Sequence, residues 1–331
     1  MIKLGAHVNS VDPGIFYWKQ NGILMGILAC HVDDMIWGGN EHFKVNIINK
    51  LKETFKFGSE EVETFTYIGI SLTQNSDFSI DITQEPYINS IKEIPLTKDQ
   101  MKNRDKTLSD QEKTSYRSLV GQLNWVSGIS RPDISFVVCE ASTKFKNATI
   151  ADIISLNKTI KKLKSTKSFI KFPSLDKESL RLQLFTDASF NNLPNGGSQG
   201  GQIIFLADAK NNVCPIYWKS SKVKRVVRST IGAETLALSE GCDIALFTNK
   251  LISEIIYKNK IDLCITAYTD NQSLYDAINS MKQTSEKRLL LDISALREMV
   301  ECSEVKITWI NGEKQVSDIL TKAGAYSSMI L

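Results

Sequence analysis

Hydrophobic periodicity points to a multidomain protein of mixed α/β and α+β architecture. Three observations carry this. Short apolar runs at 23–29 and 35–37 precede an amphipathic segment at 41–57; three helical patterns fill 116–163; and from 180 onward three strands give way to alternating helices and strands. The last arrangement, strands at 180–186, 200–207 and 213–219 and then helix, strand, helices, strand and a short final helix, describes a mixed five-stranded sheet with helices packed on it.

In the first segment, His31, Val32, Asp33 and Asp34 separate two apolar strands, and Gly38 and Gly39 break the second. Phe43, Ile47, Ile48, Leu51 and Phe55 then recur at helical spacing. Strands are expected at 65–72 and 78–82. Residues 97–113 carry too little apolar surface to pack and read as an exposed loop. In the middle segment one helix carries Tyr116, Leu119, Val120, Leu123 and Val126. A second begins after Arg131 with Pro132 in its first turn, and a third carries Ile153, Leu156, Ile160 and Leu163. Phe172, Pro173 and Ser174 read as a linker.

The 331 residues carry 40 Lys+Arg and 37 Asp+Glu, with 42% hydrophobic and 23% charged residues, an ordinary globular composition. No apolar run approaches the roughly 20 residues of a membrane span, and the N-terminus lacks the pattern of a secretion signal. The closest two of the six cysteines are 22 positions apart, too far for a zinc or dithiol motif, so reduced, buried thiols in an intracellular protein are expected. The three histidines, His7, His31 and His42, leave any chemistry beyond residue 42 without imidazole. Charge is uneven: 144–181 holds ten Lys/Arg against Asp152, Asp176 and Glu178. Such a block suits a polyanion, or else forms a solvated lysine face.

Four acidic residues interrupt the apolar elements of the last part. Asp187 and Asp270 are expected at strand ends, Glu234 in the first turns of a long helix, and Asp318 at the start of the final helix. Each alone is an ordinary cap or turn residue. Together, at the shared end of a sheet, they are costly unless paired or bound to a cation. With no sulfur or imidazole among them, they suit hard, oxygen-preferring ions, Mg²⁺ or Mn²⁺, and a pair of such ions would serve phosphodiester hydrolysis. Lys219, Lys222, Lys224, Arg225 and Arg228 lead into the Glu234 helix without an intervening acid and are candidates for phosphate contact, as is Ser229 at the helix cap. Lys161, Lys162 and Lys164 are the corresponding candidates in the basic block.

The order strand-Asp187, helix-Glu234, strand-Asp270, helix-Asp318 resembles ribonuclease H. The strings around these residues (Thr186-Asp187-Ala188-Ser189, Ile231-Gly232-Ala233-Glu234, Thr269-Asp270-Asn271-Gln272-Ser273 and Ser317-Asp318-Ile319-Leu320-Thr321-Lys322) resemble the ribonuclease H region of copia-type retrotransposon Pol polyproteins. The resemblance implies two-ion cleavage of the RNA strand of an RNA–DNA hybrid, with all four carboxylates as catalytic metal ligands. Such enzymes commonly carry a late histidine; 282–300 has none, and Arg288 is the candidate substitute. In the front half, His31-Val32-Asp33-Asp34 resembles the palm signature of reverse transcriptases, with histidine where an aromatic residue is usual. Phe65 to Ile70 resembles a primer-grip strand pair. Gly121-Gln122-Leu123-Asn124-Trp125 with Ser130-Arg131-Pro132-Asp133-Ile134 resembles the thumb-to-connection region.

The implied organisation is a partial reverse-transcriptase palm at 1–85, a helical thumb/connection with a basic linker at 86–176 and a ribonuclease H-like domain at 177–331. Asp33 and Asp34 would be catalytic in polymerisation only with a further palm carboxylate and fingers, for which the residues before Asp33 leave no room, so the sequence reads as a truncated reverse transcriptase. Expected partners are an RNA–DNA hybrid and an RNA or DNA template-primer, with no membrane, in the cytoplasm or alternatively the nucleus. The competing expectation is a non-catalytic nucleic-acid-binding remnant of the polyprotein.

Overall fold

The structure is a computed structural model, described here for residues 1–324 except 56, 194–195, 258–261 and 281–286. Its described part contains three sheets and the helices around them.

The first sheet is antiparallel, in the order β1 (His7–Val8), β2 (Ile15–Gln20), β3 (Ile23–His31), β4 (Asp34–Gly39). Asn21 and Gly22, both at positive φ (53° and 83°), make the tight turn between β2 and β3 that matches strand twist. The expected amphipathic segment forms as α1 (Glu41–Phe43), a π-helical stretch (Lys44–Ile48) and α2 (Asn49–Thr54). Phe43 is fully buried, and its ring lies where a Cβ on Gly26 or Gly39 would approach to 2.3 or 2.4 Å, so only glycine fits at either strand position.

The second sheet runs β5 (Thr64–Tyr67), β6 (Ile70–Gln74), β7 (Ile80–Thr83), β8 (Ile170–Phe172). Two expectations are corrected here. The single strand at 65–72 is a hairpin, because Ile68 and Gly69 turn at positive φ and pair Tyr67 with Ile70. The linker around Phe172 begins as a strand that pairs antiparallel with β7, so this sheet joins residues on both sides of position 85.

Between them lie α3 (Glu85–Ser90), α4 (Lys98–Lys102), α5 (Asp110–Ile129), α6 (Ser135–Thr143) and α7 (Ile150–Ser165). The segment expected as an exposed loop at 97–113 is mostly exposed, but α4 and the first turn of α5 make about half of it helical. Capping boxes at Thr97/Gln100 and Ser109/Glu112 start α4 and α5 by satisfying backbone N–H groups, which offsets the lack of apolar residues. Tyr116, Leu119, Leu123, Val126, Ile153, Leu156 and Ile160 form the core of this part. Much of the basic block is matched by acids: Lys144 pairs with Glu140 and Asp152, Lys167 with Glu85 and Lys171 with Asp77.

The third sheet has five strands in the order β11 (Val213–Lys222), β10 (Gly197–Ala207), β9 (Arg181–Leu193), β12 (Cys264–Thr269), β13 (Lys306–Trp309). β9, β10 and β11 are antiparallel, whereas β12 runs parallel to β9 and to β13. The long helix α8 (Thr230–Ile256) packs Leu238, Cys242 and Ala245 against Leu182, Leu184 and Ile204 on one face, a core that α9 (Gln272–Asn279) and α10 (Leu290–Glu301) extend. Phe185, Ile203 and Phe205 on the other face meet Val316, Ile319 and Leu320 of a 3₁₀ turn. β9 continues past residue 187 because 188–193 pair with β10, so Asp187 lies within the strand and not at its end.

The first sheet is docked on the far end of α8. Glu254 accepts from the Ser10 N–H (3.0 Å) and the Tyr17 hydroxyl (3.3 Å), and the Lys19 ammonium donates to the carbonyls of Glu254 (2.8 Å) and Tyr257 (2.6 Å), which places a cation on the helix C-terminus. All six cysteines are free; Cys214 and Cys242 are buried as expected, whereas Cys264 and Cys302 are exposed. Among the described residues no helix is long and apolar enough to cross a membrane.

Candidate active site

Three of the four C-terminal carboxylates converge. Asp187 pairs with Gly201 of β10 in the middle of the sheet and is buried. Glu234 sits in the second turn of α8, whose N-terminus is fixed by the Ser229 hydroxyl accepting from the Gly232 N–H at 3.2 Å. Asp270 follows the last residue of β12, and its carbonyl accepts from the Trp309 indole N–H at 3.0 Å across the parallel pair. One oxygen from each of Asp187, Glu234 and Asp270 lies within 4.8 Å of the other two.

Burial and mutual repulsion make this cluster unfavourable without a cation. Asp187 is pushed up to about 6, first by burial, with the charges of Asp318 and Asp270 adding, and the hydrogen bond from Thr321 and the charge of Lys322 opposing. Glu234 is raised well above the usual carboxylate range by burial and then by Asp187 and Asp270. Its Oε1 accepts from the Ala188 N–H at 3.2 Å, while its Oε2 is buried with no protein partner. A buried glutamate with a partnerless oxygen, clustered with two further carboxylates, is the donor set a hard divalent ion takes. The residues fit such an ion.

Asp318 stands apart from the three. It lies in the 3₁₀ turn Val316–Leu320, and its Oδ1 is 2.7 Å from the ammonium of Lys322, which is in turn 3.7 Å from Asp187 Oδ2. The turn is anchored by the Gln315 side-chain amide donating to the Thr186 carbonyl (2.9 Å) and the Ser220 hydroxyl donating to the Leu320 carbonyl (2.5 Å). The buried Thr321 hydroxyl donates to Asp187 Oδ2. Gln315, Thr321, Lys322 and Trp309 are missed by sequence reasoning, although Lys322 lies one helical turn after Asp318, a spacing that favours ion pairing.

Gly201 ties the turn to the sheet. A Cβ there would come within 2.7 Å of Leu320 Cβ and 2.8 Å of Thr321 Cγ2. Gly201→Val is accordingly expected to push the 316–322 segment off the sheet, at a cost of about 1–3 kcal/mol in a urea melt. An unchanged melt would count against this packing account.

Asp33 and Asp34 lie exposed at the β3–β4 turn, where Val32 has φ 53°, and among the described residues no carboxylate cluster of metal-binding size includes them. Lys219 is held by Glu240 (2.5 Å) and Arg225 by Asp292 (2.9 Å). Lys161 pairs with Glu93 (3.3 Å), Lys162 with Asp133 (3.4 Å), and Lys164 donates to the Ile91 carbonyl (2.6 Å). Among the described residues, Lys222, Lys224 and Arg228 are exposed and make no ion pair. Arg288 is exposed, and 282–286 of the segment expected to lack histidine lie outside the described residues.

No family model matches the chain. The chain is 26% identical over 332 residues to the Retrovirus-related Pol polyprotein from transposon RE1 of Arabidopsis thaliana, covering 95% of this chain and 22% of that polyprotein. A similar match, 24% identical over 337 residues, covers 94% of this chain and 24% of the Pol polyprotein from transposon TNT 1-94 of Nicotiana tabacum. The chain thus spans about a quarter or less of the length of these relatives. Among solved structures, the foamy viral protease-reverse transcriptase in complex with RNA/DNA hybrid aligns over 91% of this chain and 37% of that one, with a TM-score of 0.53 and 12% identity, a likeness of fold. The homologues of this chain, matched over nearly its whole length, are Pol polyproteins of copia-type transposons.

Proposed function

We propose that the chain is a retrotransposon-derived Pol segment whose C-terminal part, 177–331, is a metal-dependent nuclease that cleaves the RNA strand of RNA–DNA hybrids. The observation that carries the reading is the convergence of Asp187, Glu234 and Asp270 with a partnerless oxygen on Glu234. Mg²⁺ or Mn²⁺ bound there would activate a water and stabilise the leaving oxygen of a phosphodiester. Asp187, Glu234 and Asp270 would hold one ion, and Asp187 with Asp318 a second. Ser229 fixes the start of α8 so that Glu234 faces β9, and Trp309 braces the backbone of Asp270. In this reading 1–85 corresponds to a partial palm bearing Asp33 and Asp34, and 86–176 to a thumb/connection.

The basic residues best suited to phosphate are Lys222, Lys224 and Arg228, which make no ion pair among the described residues and precede the Glu234 helix. Lys161, Lys162, Lys164, Lys219 and Arg225 would have to give up contacts first. Labelled hybrid incubated with the full chain and Mn²⁺ is expected to yield RNA fragments, with none in EDTA; binding without products would favour the non-catalytic remnant. Replacing both Lys224 and Arg228 by Ala is expected to weaken hybrid binding and to reduce the log–log salt slope by about 2, whereas replacing Lys161 and Lys162 should change it less. A filter-binding series in increasing KCl measures both slopes.

A further inference from the structure

We propose that Lys322 is a built-in occupant of the second cation position, so that the site loads its ions in a fixed order. The proposal rests on the hybrid-nuclease reading and concerns a residue that reading does not use.

The acidic site has two unequal halves joined by Asp187. In one half Asp187 meets Glu234 and Asp270, and among the described residues no lysine or arginine lies within 4 Å of either Glu234 or Asp270. In the other half Asp187 faces Asp318, and here the Lys322 ammonium sits 2.7 Å from Asp318 Oδ1 and 3.7 Å from Asp187 Oδ2. The Lys322 backbone is fixed by its N–H donating to the Asp318 carbonyl at 2.9 Å. Beside it, Thr321 occupies Asp187 Oδ2 with its hydroxyl. The lysine head is therefore held by the chain's own geometry between Asp318, which lies outside the three-oxygen cage, and Asp187, which belongs to it.

Two consequences follow from charge and reach. An ammonium carries one positive charge and three donors, so it neutralises this half of the site without the second charge or the open coordination positions of a divalent ion. The side chain of Lys322 is 46% exposed, so its flexible stem can carry the head into water when a stronger cation arrives. The cage of Asp187, Glu234 and Asp270, which holds no ammonium, fills first. The second ion binds only by displacing Lys322, and its apparent affinity is lowered by the strength of that internal contact.

Calorimetric titration of the full chain with Mn²⁺, without nucleic acid, tests this. The parent is expected to bind one ion tightly and a second more weakly. K322M should tighten the second ion by about ten-fold or more and the first, which shares only Asp187 with the lysine, by clearly less. K322R should behave like the parent, and D318N should abolish the second event in either background. Circular dichroism in EDTA supplies a readout independent of metal: K322M should melt at a lower temperature than K322R, because Asp187 and Asp318 then repel without an intervening cation. K322Q is the alternative if K322M does not fold. Parent-like second-ion affinity in K322M or K322Q would overturn the proposal and leave the nuclease reading standing. Absence of Mn²⁺ binding in the parent and every variant would overturn both.

Discussion

Asp187→Asn is expected to abolish hybrid cleavage while making the metal-free protein more stable. The two effects have one cause. Asp187 lies between Glu234 and Asp270 on one side and Asp318 on the other, so its charge is needed by any cation in either half of the site. Loss of a charge of this kind lowers turnover by on the order of a thousand-fold. Without a cation the same charge is a burden, because burial and neighbouring carboxylates raise Asp187 to about 6. An acid that holds its proton to higher pH when folded than when unfolded leaves stability intact below the unfolded value of about 4 and removes it as pH rises through 6. Over that window the metal-free parent should lose on the order of 3 kcal/mol from Asp187. Glu234, also raised, acts in the same direction. Asn keeps the shape and an oxygen for the Thr321 hydroxyl, so Asp187→Asn should flatten this pH dependence in EDTA and outlast the parent at pH 8. Added Mn²⁺ should then stabilise the parent and not the variant, since an ion stabilises only the state that binds it. Urea melts at pH 4.5 and 8, with and without Mn²⁺, measure all of this; a variant less stable than the parent at pH 8 in EDTA would rule out the repulsion on which the account depends.

The order of elements in the C-terminal part was legible because apolar strands and a long amphipathic helix leave a periodic signature, and the acidic residues interrupt it. What the sequence hid were decisions made by distant partners or by polar caps. Residues 188–193, Ala-Ser-Phe-Asn-Asn-Leu, look like a turn, yet β10 pairs with them and carries β9 beyond Asp187. The polar stretch 97–113 looks unable to pack, yet two capping boxes supply by hydrogen bonding what burial does not. The β5–β6 hairpin depends on a left-handed conformation at Ile68, a residue type that rarely adopts one. Basic residues were the least legible. A lysine written into a cationic block can be matched by an acid far along the chain, as Lys161 is by Glu93, and only the folded arrangement reveals it. Lys322 is the sharpest case: its spacing from Asp318 is local, but its second carboxylate is contributed by a strand 135 positions earlier.

Arg131 and Asp133, which the sequence marks as part of a family-like string, are expected to act through stability. Arg131 is 1% exposed, and its guanidinium grips Asp133 with two bonds, Nε to Oδ1 at 2.8 Å and Nη2 to Oδ2 at 2.9 Å. Its Nη1 donates to the Thr166 carbonyl at 3.1 Å beyond the end of α7, and the neighbouring Ser130 hydroxyl donates to Gln84 at 2.8 Å. The pair thus joins the end of α5 to the end of α7, and Ser130 adds the start of α3. Burial pushes the Asp133 carboxyl up, but the hydrogen bonds and charge of Arg131, with Lys162 behind them, outweigh it and hold the group below the usual range. A carboxyl lowered on folding contributes stability above its unfolded value of about 4, and that contribution is lost as pH falls through the folded value, the reverse of Asp187. Asp133→Ala strands a buried guanidinium and should cost about 3–5 kcal/mol, whereas Arg131→Met with Asp133→Leu removes both charges and should recover most of that loss. Urea unfolding followed by tryptophan fluorescence separates the cases, and limited proteolysis should show cleavage within 86–176 in Asp133→Ala before it appears in 177–324. If Asp133→Ala costs less than about 1 kcal/mol, or if the double variant is the less stable of the two, the pair is not the clasp of the helical body.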